Sequence, residues 1–95
     1  MDENYSVYIM ASSKNGTLYI GVASDLSRRV WEHKHDVVDG FTKRYGVHTL
    51  VHYESGGSRD GALWREKCLK SWHRKWKISL IEETNPEWRD LCDDL

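Results

Sequence analysis

Two runs dominated by β-branched and aromatic residues, 5–11 and 17–23, stand on either side of Ser12-Ser13-Lys14-Asn15-Gly16. An Asn-Gly pair between such runs is among the strongest short-range signals for a β-hairpin, because both residues tolerate the positive φ that tight turns demand. The chain is therefore expected to begin with a hairpin, whose faces the later elements must cover. Ser24 or Asp25 can cap a helix over 26–38. Leu26, Val30 and Val37 recur along it at helical spacing, while Arg29 and His33, four apart, share a face that flanks the apolar stripe.

Further on, 39–48 holds Gly40 and Gly46 among mixed polar residues and reads as a loop. Leu50-Val51-His52-Tyr53-Glu54 reads as a third strand, closed by Ser55-Gly56-Gly57-Ser58. From Arg59 a second helix is predicted to about Trp76, with Ala62, Leu69, Trp72 and Trp76 on one side and Lys67, Lys70 and Arg74 on the other. Residues 77–82 suit a short strand or a continuation of that helix. Asn85-Pro86 predicts an N-cap and first helical position for a short terminal helix through Trp88, Leu91 and Cys92. The order predicts an α+β fold: a small three-stranded antiparallel sheet flanked by helices.

A chain of 95 residues is expected to be a single domain, 1–95, without room for a separate recognition module. It has no apolar run long enough for a bilayer, and Met1-Asp2-Glu3-Asn4 lacks the basic and apolar blocks of a secretory leader, so a cytoplasmic protein without a membrane partner is expected. Cys68 and Cys92 do not form a disulfide framework there and read as packing residues. The formal net charge of −1 conceals a polar distribution: 13 Lys/Arg face 9 Asp/Glu over residues 1–81, whereas one Arg faces six acids over 82–95. Six bases against one acid between Arg65 and Lys77 form a candidate phosphate-facing stripe, for which the acidic end would compete.

Within the hairpin, Val7-Tyr8-Ile9-Met10 and Leu18-Tyr19-Ile20-Gly21 repeat a tyrosine motif, followed by Arg29, His33 and, on the second helix, Glu66. Each has an ordinary explanation alone: strand tyrosines pack, paired arginines are solvated, and Glu66 before Lys70 is the stabilising order for an intrahelical pair. In conjunction they resemble the GIY-YIG nuclease superfamily, specifically its small single-domain members of the UPF0213 kind, related to the nuclease domain of the UvrC repair protein. Tyr19-Ile20-Gly21 matches the second motif letter for letter, whereas Val7-Tyr8-Ile9 keeps only the tyrosine of the first.

The resemblance implies a GIY-YIG fold and a metal-dependent DNA endonuclease, with a setting in DNA repair or recombination. It implies that Tyr8 or Tyr19 acts as general base, Arg29, ten residues after Tyr19, contacts the scissile phosphate, His33 assists proton movement, and Glu66 holds a single Mg²⁺ or Mn²⁺. Lys67, Lys70 and Arg74 are the candidate DNA contacts. Val22 stands where several relatives carry a lysine, and Asn85 has a second reading as the asparagine found late in the family pattern. Such a set matches what phosphodiester hydrolysis needs: an activated water, positive charge at the transition state and help for the leaving oxygen. The rival classes are a catalytically silent nucleic-acid-binding module and an interaction domain using the acidic end. A zinc site is not expected, because neither cysteine has a close partner and His33 and His35 point to different helix faces. The five tryptophans, mostly at helical spacing, read as core.

Overall fold

The computed structural model describes residues 4–37 and 39–95. The acidic start and position 38, the end of the expected first helix, lie outside the described residues. Strands β1 (Tyr5–Ala11), β2 (Leu18–Ala23) and β3 (Thr49–Gly57) form one antiparallel sheet in the order β2-β1-β3. Helices are α1 (Leu26–Lys34), α2 (Phe41–Tyr45), α3 (Arg59–Ser71) and α4 (Arg74–Thr84), with a terminal 3₁₀ turn at Leu91–Asp94.

Being central, β1 is buried on both faces from Ser6 to Ala11, which a strand with one solvated face would not be. Val7, Ile9 and Ala11 join Ile20 and Val51 under Ala62 and Leu69 of α3 and Ile81 of α4. Tyr8 and Met10, the alternate residues, join Ala23, Leu26, Val30 and Leu50 on the α1 side. The period of two along β1 thus sends apolar residues one way and the first tyrosine the other.

The hairpin forms as expected, although its loop is longer than two residues. Gly16 N–H donates to Ser13 O at 2.9 Å, Asn15 takes a positive φ of 59°, and Ser12 closes the loop through both backbone and hydroxyl bonds to Thr17. Asp25, one of the two expected caps, accepts from Arg28 N–H at 3.2 Å. The segment read as a loop instead contains α2, which ends on Gly46 with φ 64°, a left-handed conformation in which a side chain would be strained. Strand β3 runs on through Gly57 rather than closing at Ser55.

The long second helix is broken. Trp72 and His73 are both extended, although no glycine or proline lies between Leu63 and Thr84. The Ser71 hydroxyl donates back to Cys68 O at 2.7 Å, and the Arg65 guanidinium lies 5.2 Å from the centre of the Trp72 ring. These local and tertiary contacts end α3 where periodicity alone would continue it. Residues 77–82 are helical, within α4.

Asn85-Pro86 does not start a helix. Asn85 is the C-cap of α4, and its buried amide donates to Val51 O at 3.2 Å and Arg89 O at 2.8 Å while its carbonyl accepts from Arg89 N–H at 2.9 Å. It latches the last turn to β3, and Asp90 caps the 3₁₀ turn instead. Of the tryptophans, Trp88 is buried, whereas Trp31, Trp64 and Trp76 are exposed, correcting their reading as core.

Candidate active site

Tyr8 pairs with Gly21 across β1 and β2, which puts Tyr19 on its diagonal and on the same face of the sheet. The two phenol rings lie 6.2 Å apart, centre to centre. Gly21, the last letter of Tyr-Ile-Gly, makes this possible by size: a Cβ there would come within 2.6 Å of the Tyr8 hydroxyl and 3.0 Å of Tyr19 Cε2. The glycine of the motif is the space that its tyrosines occupy.

Helix α1 crosses this face and buries His33 against both rings, with centres 5.9 Å from Tyr8 and 5.4 Å from Tyr19. His33 Nε2 is 2.9 Å from the Tyr8 hydroxyl, and Nδ1 is 3.0 Å from the Thr42 hydroxyl on α2. Burial lowers the His33 pKa, the charge of Arg29 lowers it further, and Glu32 opposes them. The imidazole is therefore neutral at pH 7 and carries one N–H, so it donates one of these two bonds and accepts the other. Burial also raises the Tyr8 pKa far above the usual phenol range, aided by Tyr19 and opposed by the charge of Arg29. Tyr8 keeps its proton across the physiological range.

Arg29 stands at the mouth of this group, its side chain 42 % exposed and paired with Glu32 at 3.2 Å. Arg28 reaches the same carboxylate at 3.4 Å. Since Arg29 influences both Tyr8 and His33, a phosphate drawing it from Glu32 would sit beside the buried pair.

Glu66 lies on α3 rather than on the hairpin or α1. Its helix packs on the other face of the sheet, and its carboxylate pairs with Lys70 at 3.3 Å. Lys70 in turn lines a hollow of about 290 Å³ with Leu18, Tyr19, Ile20, Phe41 and Lys77. Lys70 thus both pairs with Glu66 and shares a hollow with Tyr19. Among the described residues no group of three or more His, Cys, Asp or Glu could hold a metal ion. A single, partly exposed carboxylate suits Mg²⁺ or Mn²⁺ bound mostly through water and substrate phosphate, once Lys70 moves aside.

The basic stripe is not one surface. Arg65 forms a two-pronged pair with Glu54 at 2.9 and 3.1 Å. Although burial works against it, that pair together with His52 holds the Glu54 carboxyl below its usual range. Arg74 donates to Asn15 O at 2.8 Å and to Gly16 O, pinning the hairpin loop. Lys67 and Lys70 remain exposed on α3. The acidic end turns elsewhere too: Asp90 pairs with Lys34, and Asp94 with Arg89 at 2.9 Å. Asn85 is tied to β3, on the opposite side of β1 from Tyr19.

Sequence reasoning missed Thr42, to which no motif pointed, and the rings of Phe41 and Tyr45. Their four-residue spacing before Gly46 is a short-helix signature that could have found them.

Residues 4–79 match the family model of the GIY-YIG catalytic domain. The chain is 37 % identical over 83 residues to a UPF0213 protein of Haloquadratum walsbyi, covering 87 % of this chain and 92 % of that one. It is 39 % identical over 84 residues to a UPF0213 protein of Staphylococcus aureus, covering 87 % and 99 %. Among solved structures, the solution structure of a UPF0213 protein from Bacillus halodurans superposes with a TM-score of 0.56 at 26 % identity, covering 92 % of each chain. The paired tyrosines, their glycine and the match over four-fifths of the sequence lead to one assignment: the chain belongs to the GIY-YIG family of nuclease catalytic domains.

Proposed function

We propose that this protein is a divalent-metal-dependent DNA endonuclease that hydrolyses phosphodiester bonds, acting in the cytoplasm in DNA repair or recombination. The observation that carries the reading is the buried chain from Tyr8 through His33 to Thr42, closed over by Tyr19 and fronted by Arg29. A buried phenol hydrogen-bonded to a neutral imidazole, itself bonded onward to Thr42, suits the holding and relay of a proton.

In this scheme Arg29 leaves Glu32 for the scissile phosphate and stabilises the charge that gathers on it. Tyr19, partly exposed beside the hollow, takes the proton of the attacking water as it passes its own phenolic proton to solvent. The Tyr8 hydroxyl donates a hydrogen bond to His33 Nε2, and His33 donates Nδ1–H to Thr42, which fixes the tautomer and orders the ring next to Tyr19. A new P–O bond forms to the water oxygen, the bond to the leaving sugar oxygen breaks, and that oxygen takes up a proton from solvent water. Glu66 would hold the Mg²⁺ or Mn²⁺, which supplies Lewis-acid stabilisation of the phosphate oxygens. Lys67 and Lys70 would contact flanking phosphates, with Arg74 acting on them only through the hairpin loop it holds.

A second reading draws on the Lys70–Glu66 pair, which leaves that carboxylate neutralised: a module that binds DNA without cutting. Supercoiled plasmid incubated with the protein and Mg²⁺ or Mn²⁺, against a chelator control, separates the two. Metal-dependent nicking that Arg29→Ala abolishes supports the nuclease, and salt-sensitive binding with no nicking on any DNA form supports the silent module.

A further inference from the structure

From Tyr19 a row of rings leads out of the site onto the surface. Phe41 lies 6.1 Å from Tyr19 at an interplanar angle of 32°, and Tyr45 lies 4.7 Å from Phe41. Phe41 and Tyr45 are 45 % and 48 % exposed, although both are large and apolar. They occupy one side of α2, four residues apart, and that helix is anchored by buried Thr42, which bonds His33 at 3.0 Å. The outer rings are thus rigidly coupled to the residues proposed to do the chemistry.

The surroundings are basic. Arg44 lies 5.5 Å from the centre of the Tyr45 ring, Lys43 is beside it, tied to Asp39, and Lys70 and Lys77 share the hollow between Tyr19 and Phe41. No carboxylate lines that hollow or the one around Phe41 and Tyr45 among the described residues. An apolar protein partner gains nothing from such a frame, whereas a polyanion with flat apolar faces fits it. In duplex DNA those faces are covered by neighbouring bases, so rings of this kind meet them only where bases are unpaired.

We propose that Phe41 and Tyr45 form a stacking platform for unpaired bases, and that the substrate of this site is DNA with a single-stranded stretch beside the cleaved phosphate. The proposal rests on the nuclease reading for the cleavage and on the ring row for the substrate, and the two fail separately.

The test is fluorescence anisotropy in chelator, so that no cutting interferes, with a labelled oligothymidylate and a blunt duplex of equal length. Wild type should bind the single strand more tightly. Phe41→Leu/Tyr45→Leu should weaken single-strand binding by about tenfold or more and duplex binding much less, since each stacked base contributes about 1–3 kcal/mol. Phe41→Tyr/Tyr45→Phe, which keeps both rings, should bind like wild type. The gap between the leucine and wild-type proteins should persist at high salt, because stacking releases no counterions. Independently of any variant's folding, 2-aminopurine in the single strand should change its fluorescence when wild type binds. Equal or tighter duplex binding, equal losses on both DNAs, or an unresponsive 2-aminopurine overturns the platform. Plasmid nicking without single-strand preference would leave the nuclease standing and remove only the platform; single-strand stacking without cutting would do the reverse.

Discussion

The hydroxyl of Tyr8 lies 2.9 Å from Nε2 of His33, both residues almost wholly buried between the sheet and α1. Tyr8→Phe keeps the ring and strips His33 of that partner. An unsatisfied buried nitrogen costs about 1–3 kcal/mol, which thermal or denaturant unfolding should register. If this pair serves proton transfer, cleavage should fall by about 10²-fold or more in the same variant.

The same pair sets a pH dependence. Burial depresses the His33 pKa in the folded protein below its ordinary 6.5. Above that value neither state holds the proton, so nothing is gained or lost. As pH falls through 6.5 the unfolded chain binds a proton that the folded one refuses, and stability drops until the folded pKa is reached. Urea midpoints measured from about pH 8 to 5 should decline more steeply in wild type than in His33→Gln, provided the variant folds. Parallel curves would show that His33 contributes no such linkage.

Thr42→Val removes the hydroxyl behind His33 while keeping its shape, and Thr42→Ser restores it. The valine variant should lose about 1–3 kcal/mol and much of the cleavage, and the serine variant should recover both. Nitrogen chemical shifts of the His33 ring should report a changed tautomer balance in valine alone, which a purely structural role for Thr42 would not produce.

Gly21→Ala places a methyl 2.6 Å from the Tyr8 hydroxyl and 3.0 Å from Tyr19. The rings must move, at a cost of about 1–3 kcal/mol. A protein with wild-type melting temperature and unchanged Tyr8 and Tyr19 ring resonances would contradict the steric role of this glycine.

Asn85→Ala tests a separation of roles. Losing three hydrogen bonds at a buried cap should destabilise the protein by at least about 1–3 kcal/mol. Because Asn85 is tied to β3, cleavage by the folded fraction should stay near wild type. A stable variant with lost cleavage would return Asn85 to the site.

The hairpin, the capped first helix and the three-strand sheet were legible because they rest on local signals: Asn15-Gly16, Asp25 and runs of β-branched residues. That Tyr8, Tyr19 and His33 meet was an expectation carried by the family resemblance; in the structure, the β1–β2 register and the crossing of α1 bring the three rings together. What local patterns could not show depends on distant partners. The break at Trp72-His73 accompanies the Ser71 bond and the Arg65 contact, and Asn85 caps the helix before it because β3 offers the Val51 carbonyl. Arg65 and Arg74 looked like DNA contacts in a linear stripe, yet the fold sets Glu54 and the hairpin loop against them. Glu66 stands where the resemblance expects a metal-holding carboxylate, and the fold pairs it with Lys70, which lines the hollow beside Tyr19.

The central claim, that Tyr19, Arg29 and Glu66 serve one metal-dependent reaction, is tested most directly by single-turnover nicking of DNA in Mg²⁺ or Mn²⁺ by wild type, Tyr19→Phe and Glu66→Gln. Circular dichroism checks the fold, and anisotropy in chelator checks binding. The account predicts metal-dependent cutting by wild type, near-complete loss in both variants, and DNA affinity in chelator that holds or rises in Glu66→Gln. Cutting that persists undiminished in folded Glu66→Gln, or a wild type that binds DNA but cuts none with either metal, would contradict it.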